Sequence, residues 1–210
     1  MRDDPERTQD RPRPAGHWLK EAFTDGMDSW PELLGANVVW VLLTLLVIPA
    51  PPALAGLFYQ TNTLSHGQAE GWSGFLAGFR KYFWLSYAWA LLNLVVLGLV
   101  VSNLWFYAQF QASWATLVQG AFLMIGLFWL GVQMFVFPLI LEQTDARLWT
   151  ALRNSLVLWI RKPGFCAGLF LLLVIAGVIS MMVIVPALLL TGALGAFVIN
   201  RALLHLLEEI

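Results

Sequence analysis

The chain has 210 residues, 59% of them hydrophobic and only 12% charged, with a formal net charge of −1. Soluble domains carry about 25% charged residues. Here about half of the charges crowd into the first 32 residues, while 33–65, 82–141 and 163–200 hold none. A hydrated surface cannot be built over uncharged runs of that length, which excludes a soluble enzyme, a nucleic-acid binder and a disordered chain. The expected fold class is all-α: a polytopic helical membrane protein with about six transmembrane segments (five as the alternative) plus cytoplasmic amphipathic surface helices.

Residues 1–16 are polar and carry Pro5, Pro12 and Pro14; they read as a disordered tail. Residues 17–210 read as a single helical membrane domain. A surface helix over 17–28 is expected from Trp18, Leu19, Ala22 and Phe23. The first segment, 31–48, opens with Ser29 and Glu32 at capping-box spacing and with Pro31, which a first turn tolerates. Pro49, Pro51 and Pro52 then force a break, because proline removes a backbone donor and drives the preceding residue out of the α region. The stretch 33–65 is therefore either a hairpin, with a second segment at 52–65, or a tilted helix running into an interfacial one.

Trp72, Phe75, Leu76, Phe79 and Phe83 form one helical stripe, which places a surface helix at 71–82 with Arg80 and Lys81 on its polar side. The uncharged run 82–141 accommodates segments at 83–104 and 115–141, joined by an aromatic and amide-rich connector from Trp105 to Trp114. A second surface helix is expected at 146–160. Leu148, Trp149, Leu152, Leu156, Trp159 and Ile160 form its apolar stripe, and Asp145 its N-cap. Pro186 divides the last apolar run into segments at 164–184 and 187–207.

Basic residues collect on the cytoplasmic side of a membrane. Arg80 and Lys81 in one loop, and Arg147, Arg153, Arg161 and Lys162 in another, place 66–81 and 142–162 in the cytoplasm, with the C-terminus and, for six segments, the N-terminus on the same side. The expected location is the cell membrane, with multiple passes. The same six basic residues are candidates for docking a partner or lipid headgroups. A weak internal echo also runs along the chain, since Pro52 and Pro138 each precede an apolar stretch, a surface helix and a basic pair.

Within the segments the polar residues are the leads to a ligand site. Asn37, Asn93, Gln133 and Thr191 either join helices or line a cavity for a polar ligand; in the second case Asn37, Asn93 and Gln133 converge. Trp84, Trp89, Trp105 and Trp114 either stack on sugar rings or belong to interfacial belts, the reading that 11 tryptophans favour. Gly71-Trp72-Ser73-Gly74 spells a serine-protease string, but its only possible bases are His17 in the tail, His66 in a loop and His205 near the C-terminus. Cys166 stands alone in an apolar context and reads as a buried filler. No catalytic residue, metal site or cofactor is expected.

Asn37-Val38-Val39-Trp40, the Pro49 to Pro52 turn, the run from Pro52 to Tyr59 and the run from Phe75 to Phe83 follow one another in an order that resembles the YesL-like family of bacterial membrane proteins, whose function is unknown. The resemblance is clearest over 33–107. It departs from the family's pattern at Pro51-Pro52-Ala53, where Gly-Pro-Ala is usual. It implies an accessory role in carbohydrate uptake, with permease subunits of an ABC importer as partners besides the lipid bilayer, and it carries over no functional residue. The alternative expectation is a small autonomous transporter or channel for a polar solute.

Overall fold

The computed structural model describes Thr24 and residues 30–68, 71–182 and 192–208. Every regular element among them is a helix: α1 (Trp30–Leu45), α2 (Ala50–Ser65), α3 (Gly71–Lys81), α4 (Phe83–Tyr107), α5 (Ser113–Met134), α6 (Val136–Leu141), α7 (Leu148–Arg161), α8 (Pro163–Met182) and α9 (Gly192–Glu208). Three stretches are long and apolar enough to cross a membrane: Phe83–Tyr107, Ser113–Leu141 and Pro163–Ser180. Leu33–Leu45 and Gly192–Leu207 are apolar but shorter. The expected surface helix at 17–28, the capping residue Ser29 and the turn at Pro186 lie outside the described residues, Thr24 apart.

The prolines break 33–65 as expected, and the product is a hairpin. α1 stops at Leu45, the chain reverses over 46–49, and α2 packs back against α1. The reversal passes through Val47 at φ 60. A β-branched residue there costs roughly 1–2 kcal/mol, because its Cβ crowds the following carbonyl.

α2 is the centre of the molecule. α1, α3, α4, α6 and α9 all pack on it, and Ala53, Ala55, Gly56, Leu57, Phe58, Thr61 and Thr63 are buried around its circumference. Glycines set its closest approach to α3. A Cβ on Gly56 would stand 2.8 Å from the Phe75 carbonyl oxygen, and one on Gly78 would overlap the Tyr59 side chain.

Two helices differ from expectation. The segment at 115–141 divides at Phe135 into α5 and the short α6, whose Val136, Phe137, Pro138, Leu139 and Ile140 are all buried. The stripe expected to lead α3 is also divided. Phe75 is fully buried against α2, whereas Trp72 and Leu76 are exposed. At its far end α3 bends into α4 at Tyr82, whose N–H donates to Gly78 O (3.0 Å) and whose carbonyl accepts the Ser86 N–H (2.8 Å).

α7 departs further. Its N-cap is Arg147, with no side-chain cap bond. Asp145 instead lies 3.8 Å from the Arg147 guanidinium, both exposed. Gln143 Oε1 accepts the Arg147 N–H at 3.1 Å. The face that docks is the small one, Ala151, Ser155 and Leu158. Ser155 Oγ donates to Val132 O (2.5 Å), and Trp159 lies so close to Gly131 that any Cβ there would overlap its ring. Trp149 (79% exposed), Leu156 and Ile160 of the expected apolar stripe point away from the protein.

Candidate functional site

α4 and α5 run antiparallel, with Val100 set against Gly126 and Tyr107 stacked on Phe122 (6.0 Å). One helical turn separates Trp89 from Asn93 on α4, and one turn separates Trp129 from Gln133 on α5, so each pair shares a face. The antiparallel register brings the four together. Trp89 Nε1–H donates to Gln133 Oε1 (2.8 Å) and Trp129 Nε1–H donates to Asn93 Oδ1 (3.0 Å). Asn93 Nδ2 donates to Trp89 O (2.9 Å) and approaches Gln133 Oε1 at 3.4 Å.

An indole N–H can only donate, so the amide atom facing it must be the oxygen; this settles which way both amides point. Each acceptor oxygen then has its indole, and what remains is the Gln133 NH₂. That nitrogen is buried without a hydrogen-bond partner among the described residues, on a side chain only 8% exposed. It is a donor without an acceptor. Chemically the cluster suits a hydroxyl, carbonyl or other acceptor oxygen.

Trp89 also forms the edge of an open groove of about 490 Å³ on α4, shared with Asn93, Leu94, Leu97, Gly98 and Val101. Its ring meets Phe137 edge-on (5.0 Å), and Phe137 stacks on Phe58 (5.6 Å), so α6 and α2 hold the indole in place.

Asn93 and Gln133, two of the residues expected to converge, therefore do so. Asn37 does not join them. It is fully buried on α1, and its Oδ1 accepts the Ala193 N–H at the start of α9 (3.0 Å). A helix N-terminus carries orphan donors, and the Asn37 amide satisfies one of them. Gly192 is needed at that junction, because a Cβ there would lie 2.5 Å from Asn37 Oδ1 and from the Trp40 ring. Thr191 lies outside the described residues.

A second buried polar group links α9 to α2. Asn200 Nδ2 donates to Thr61 Oγ1 (2.9 Å) and to Phe58 O (3.2 Å). Trp129, Thr61 and Asn200 were not singled out from sequence. The available signal was the four-residue spacing of Trp129 from Gln133 and the isolation of Asn200 in an apolar run.

The basic candidates lie at the periphery. Arg80, Arg147, Arg153 and Arg161 are exposed. Lys81 is also exposed, and its ammonium sits over the rings of Tyr82 (5.1 Å) and Tyr59 (5.8 Å). Lys162 is half-buried at the α7–α8 junction. Near them Glu142 Oε1 accepts from Asn62 Nδ2 (2.7 Å) and lies 3.6 Å from His66 Nε2, tying the end of α2 to the loop before α7. Among the described residues no group of three His, Cys, Asp or Glu is arranged to hold a metal ion.

No curated protein and no solved structure matches the chain. A family model described as "Protein of unknown function, DUF624" matches residues 33–104, which cover the α1–α2 hairpin, α3 and most of α4, and so include Trp89 and Asn93 but not Trp129 or Gln133. Over residues 33–104 the chain is thus similar to DUF624, the family to which YesL-like proteins belong.

Proposed function

We propose that the protein is a non-enzymatic integral membrane protein of the cell membrane, and that it serves as an accessory component of an ABC-type carbohydrate importer. The positive-inside rule puts the loops around 66–81 and 142–162, and both termini, in the cytoplasm. The observation that carries the accessory reading is the divided surface of α7. One face is fixed to α5 by the Ser155 bond and the Trp159–Gly131 contact. The opposite face carries Trp149, Arg153, Leu156, Ile160 and Arg161, all exposed. Tryptophan and arginine on a rigid element are the residues that anchor protein interfaces. The class of partner comes from the family resemblance, which implies sugar uptake.

The test is recovery of the tagged chain from mild detergent, with the co-purifying proteins identified by mass spectrometry. Importer permease subunits in stoichiometric amount are the expected result. Charge reversal by Arg153→Glu with Arg161→Glu should remove them while the helical circular dichroism stays unchanged. Recovery of permease undiminished by the reversal would defeat the docking role of α7.

The alternative, a small transporter or channel acting alone, has one observation in its favour: the Gln133 NH₂, unpartnered among the described residues, behind the Trp89 and Asn93 that edge the apolar groove on α4. It predicts that the purified protein in liposomes moves a polar solute and that Gln133→Leu abolishes the movement. Liposomes that pass no sugar, amino acid or ion would reject it.

A further inference from the structure

The turn of the α1–α2 hairpin is apolar and bare. Leu45, Leu46, Val47 and Ile48 are between 65% and 75% exposed. Its backbone donors are nonetheless all satisfied from within. Leu46 N–H donates to Leu43 O, Val47 N–H to Thr44 O, Ile48 N–H to Leu46 O and Ala50 N–H to Val47 O. The N-terminus of α2, where a helix ordinarily has four orphan donors, has none. Two of its first four residues are Pro51 and Pro52, which have no N–H; Ala50 is bonded in the turn, and Ala53 N–H donates to Pro49 O (2.9 Å). Pro49 itself removes a further donor. A turn whose backbone donors are all satisfied, and whose exposed side chains are aliphatic, suits hydrocarbon. The chain also carries valine at the one left-handed position of the turn, where glycine would be unstrained.

The depth of the turn follows from its contacts. Tyr87 Oη donates to Ile48 O (2.5 Å). Tyr87 is in the second turn of α4, and α4 continues from there to Tyr107, about 30 Å further at 1.5 Å per residue. That distance is about the thickness of a bilayer core. The turn therefore lies close to the Arg80–Lys81 end of α4 and far from the connector after Tyr107. The other end of α2 is tied to Glu142 through Asn62 and His66, again beside a basic loop. Neither α1 nor α2, at 16 residues each, reaches more than about 24 Å. The bare turn is continuous with the exposed face of α4, since Tyr87 packs on Phe83 (5.1 Å), which packs on the exposed Trp84 (5.3 Å).

We propose that the α1–α2 hairpin is re-entrant: its turn dips into the acyl chains of the leaflet nearer the basic loops and returns to the same side without crossing. The inference rests on the membrane reading above. Residues 33–65 then supply no complete span, and the polar end of α2, where Asn62 bonds Glu142, lies beside the basic loop.

The test uses the full chain with Cys166→Ala, carrying Val47→Cys, Ile48→Cys or, as a reference, Gln68→Cys, in alkali-washed membrane vesicles of both orientations. An impermeant maleimide should label Gln68→Cys from one face only and should label neither turn variant from either face. An environment-sensitive fluorophore placed at Val47→Cys before reconstitution should be quenched by lipids bearing a nitroxide high on the acyl chain. Labelling of Val47→Cys from the face opposite Gln68→Cys would overturn the proposal in favour of a crossing hairpin, and labelling from the same face would overturn it in favour of a turn in water. Absence of both labelling and lipid quenching would overturn it in favour of a turn covered by protein. Loss of the chain from the alkali-washed fraction would instead defeat the membrane reading itself, and the hairpin proposal with it.

Discussion

Amides inside apolar helices take their partners where geometry offers them. Asn93 and Gln133 find indole donors across the α4–α5 seam, while Asn37 finds a helix N-terminus. Each such bond in a membrane-like setting contributes about 0.6 kcal/mol on average and up to about 1.7 kcal/mol, because the separated helices also find partners. A double-mutant cycle of Trp89→Phe with Gln133→Leu should therefore show a coupling of roughly 0.5–1.5 kcal/mol. It is measured by denaturant unfolding in mixed micelles, followed by far-ultraviolet circular dichroism; additive effects would mean that the bond contributes nothing. That Asn93 and Gln133 meet was legible as a possibility, since both are lone amides in long uncharged runs. That Asn37 serves a different helix was not, because Ala193 is 156 positions away and no local pattern connects them.

At the scale of the element, small residues decide which face packs. Apolar side chains gain little by leaving lipid for protein, so helices associate where backbones come close rather than where side chains are most apolar. α7 shows this directly. Its large residues Trp149, Leu156 and Ile160 stay outside, and Ala151 and Ser155 make the joint. The rule that the apolar stripe marks the buried face belongs to proteins in water, and it does not hold for α7 or for half of the α3 stripe. The junction of α1 with α9 gives a test. Gly192→Ala should destabilise by about 1–3 kcal/mol through overpacking against Asn37 and Trp40. Gly195→Ala, whose Cβ meets nothing within 4 Å, should be neutral or stabilise by up to about 1 kcal/mol through helix propensity. Thermal unfolding of the two variants in detergent checks the contrast, and equal effects would contradict the packing.

At the scale of the whole molecule, the three long apolar helices α4, α5 and α8 carry most of the exposed aliphatic surface, while α1, α2, α3, α6, α7 and α9 gather at the end where the basic residues lie. Under the membrane reading proposed above, α4 and α5 each run the thickness of a bilayer and the connector after Tyr107 falls on the side opposite the loops at 66–68 and 142–147. In the Cys166→Ala chain, Gln111→Cys should react with impermeant maleimide from one face, and Gln68→Cys and Thr144→Cys from the other. Reaction of all three from one face would refute a crossing by α4 and α5. Polar bonds between distant parts of the chain hold α2 in place, Asn200 to Thr61 in the bundle interior and Asn62 to Glu142 at its surface, so α9 and the end of α6 complete the environment of the hairpin.

The sequence alone determined the class and the punctuation: long uncharged runs require helices in an apolar surround, prolines at 49, 51 and 52 require a break, and clustered Lys and Arg mark the loops. These are local properties, written in composition and in backbone chemistry. Only the tertiary structure decided that the stretch after the break is a central helix enclosed by five others, that its turn lies near one end of α4, and which amides are neighbours. Hydropathy cannot separate a helix covered by lipid from one covered by protein, since both are apolar. The distinction rests on small residues and on single hydrogen bonds between positions far apart in the chain, and these acquire meaning only once the helices are packed.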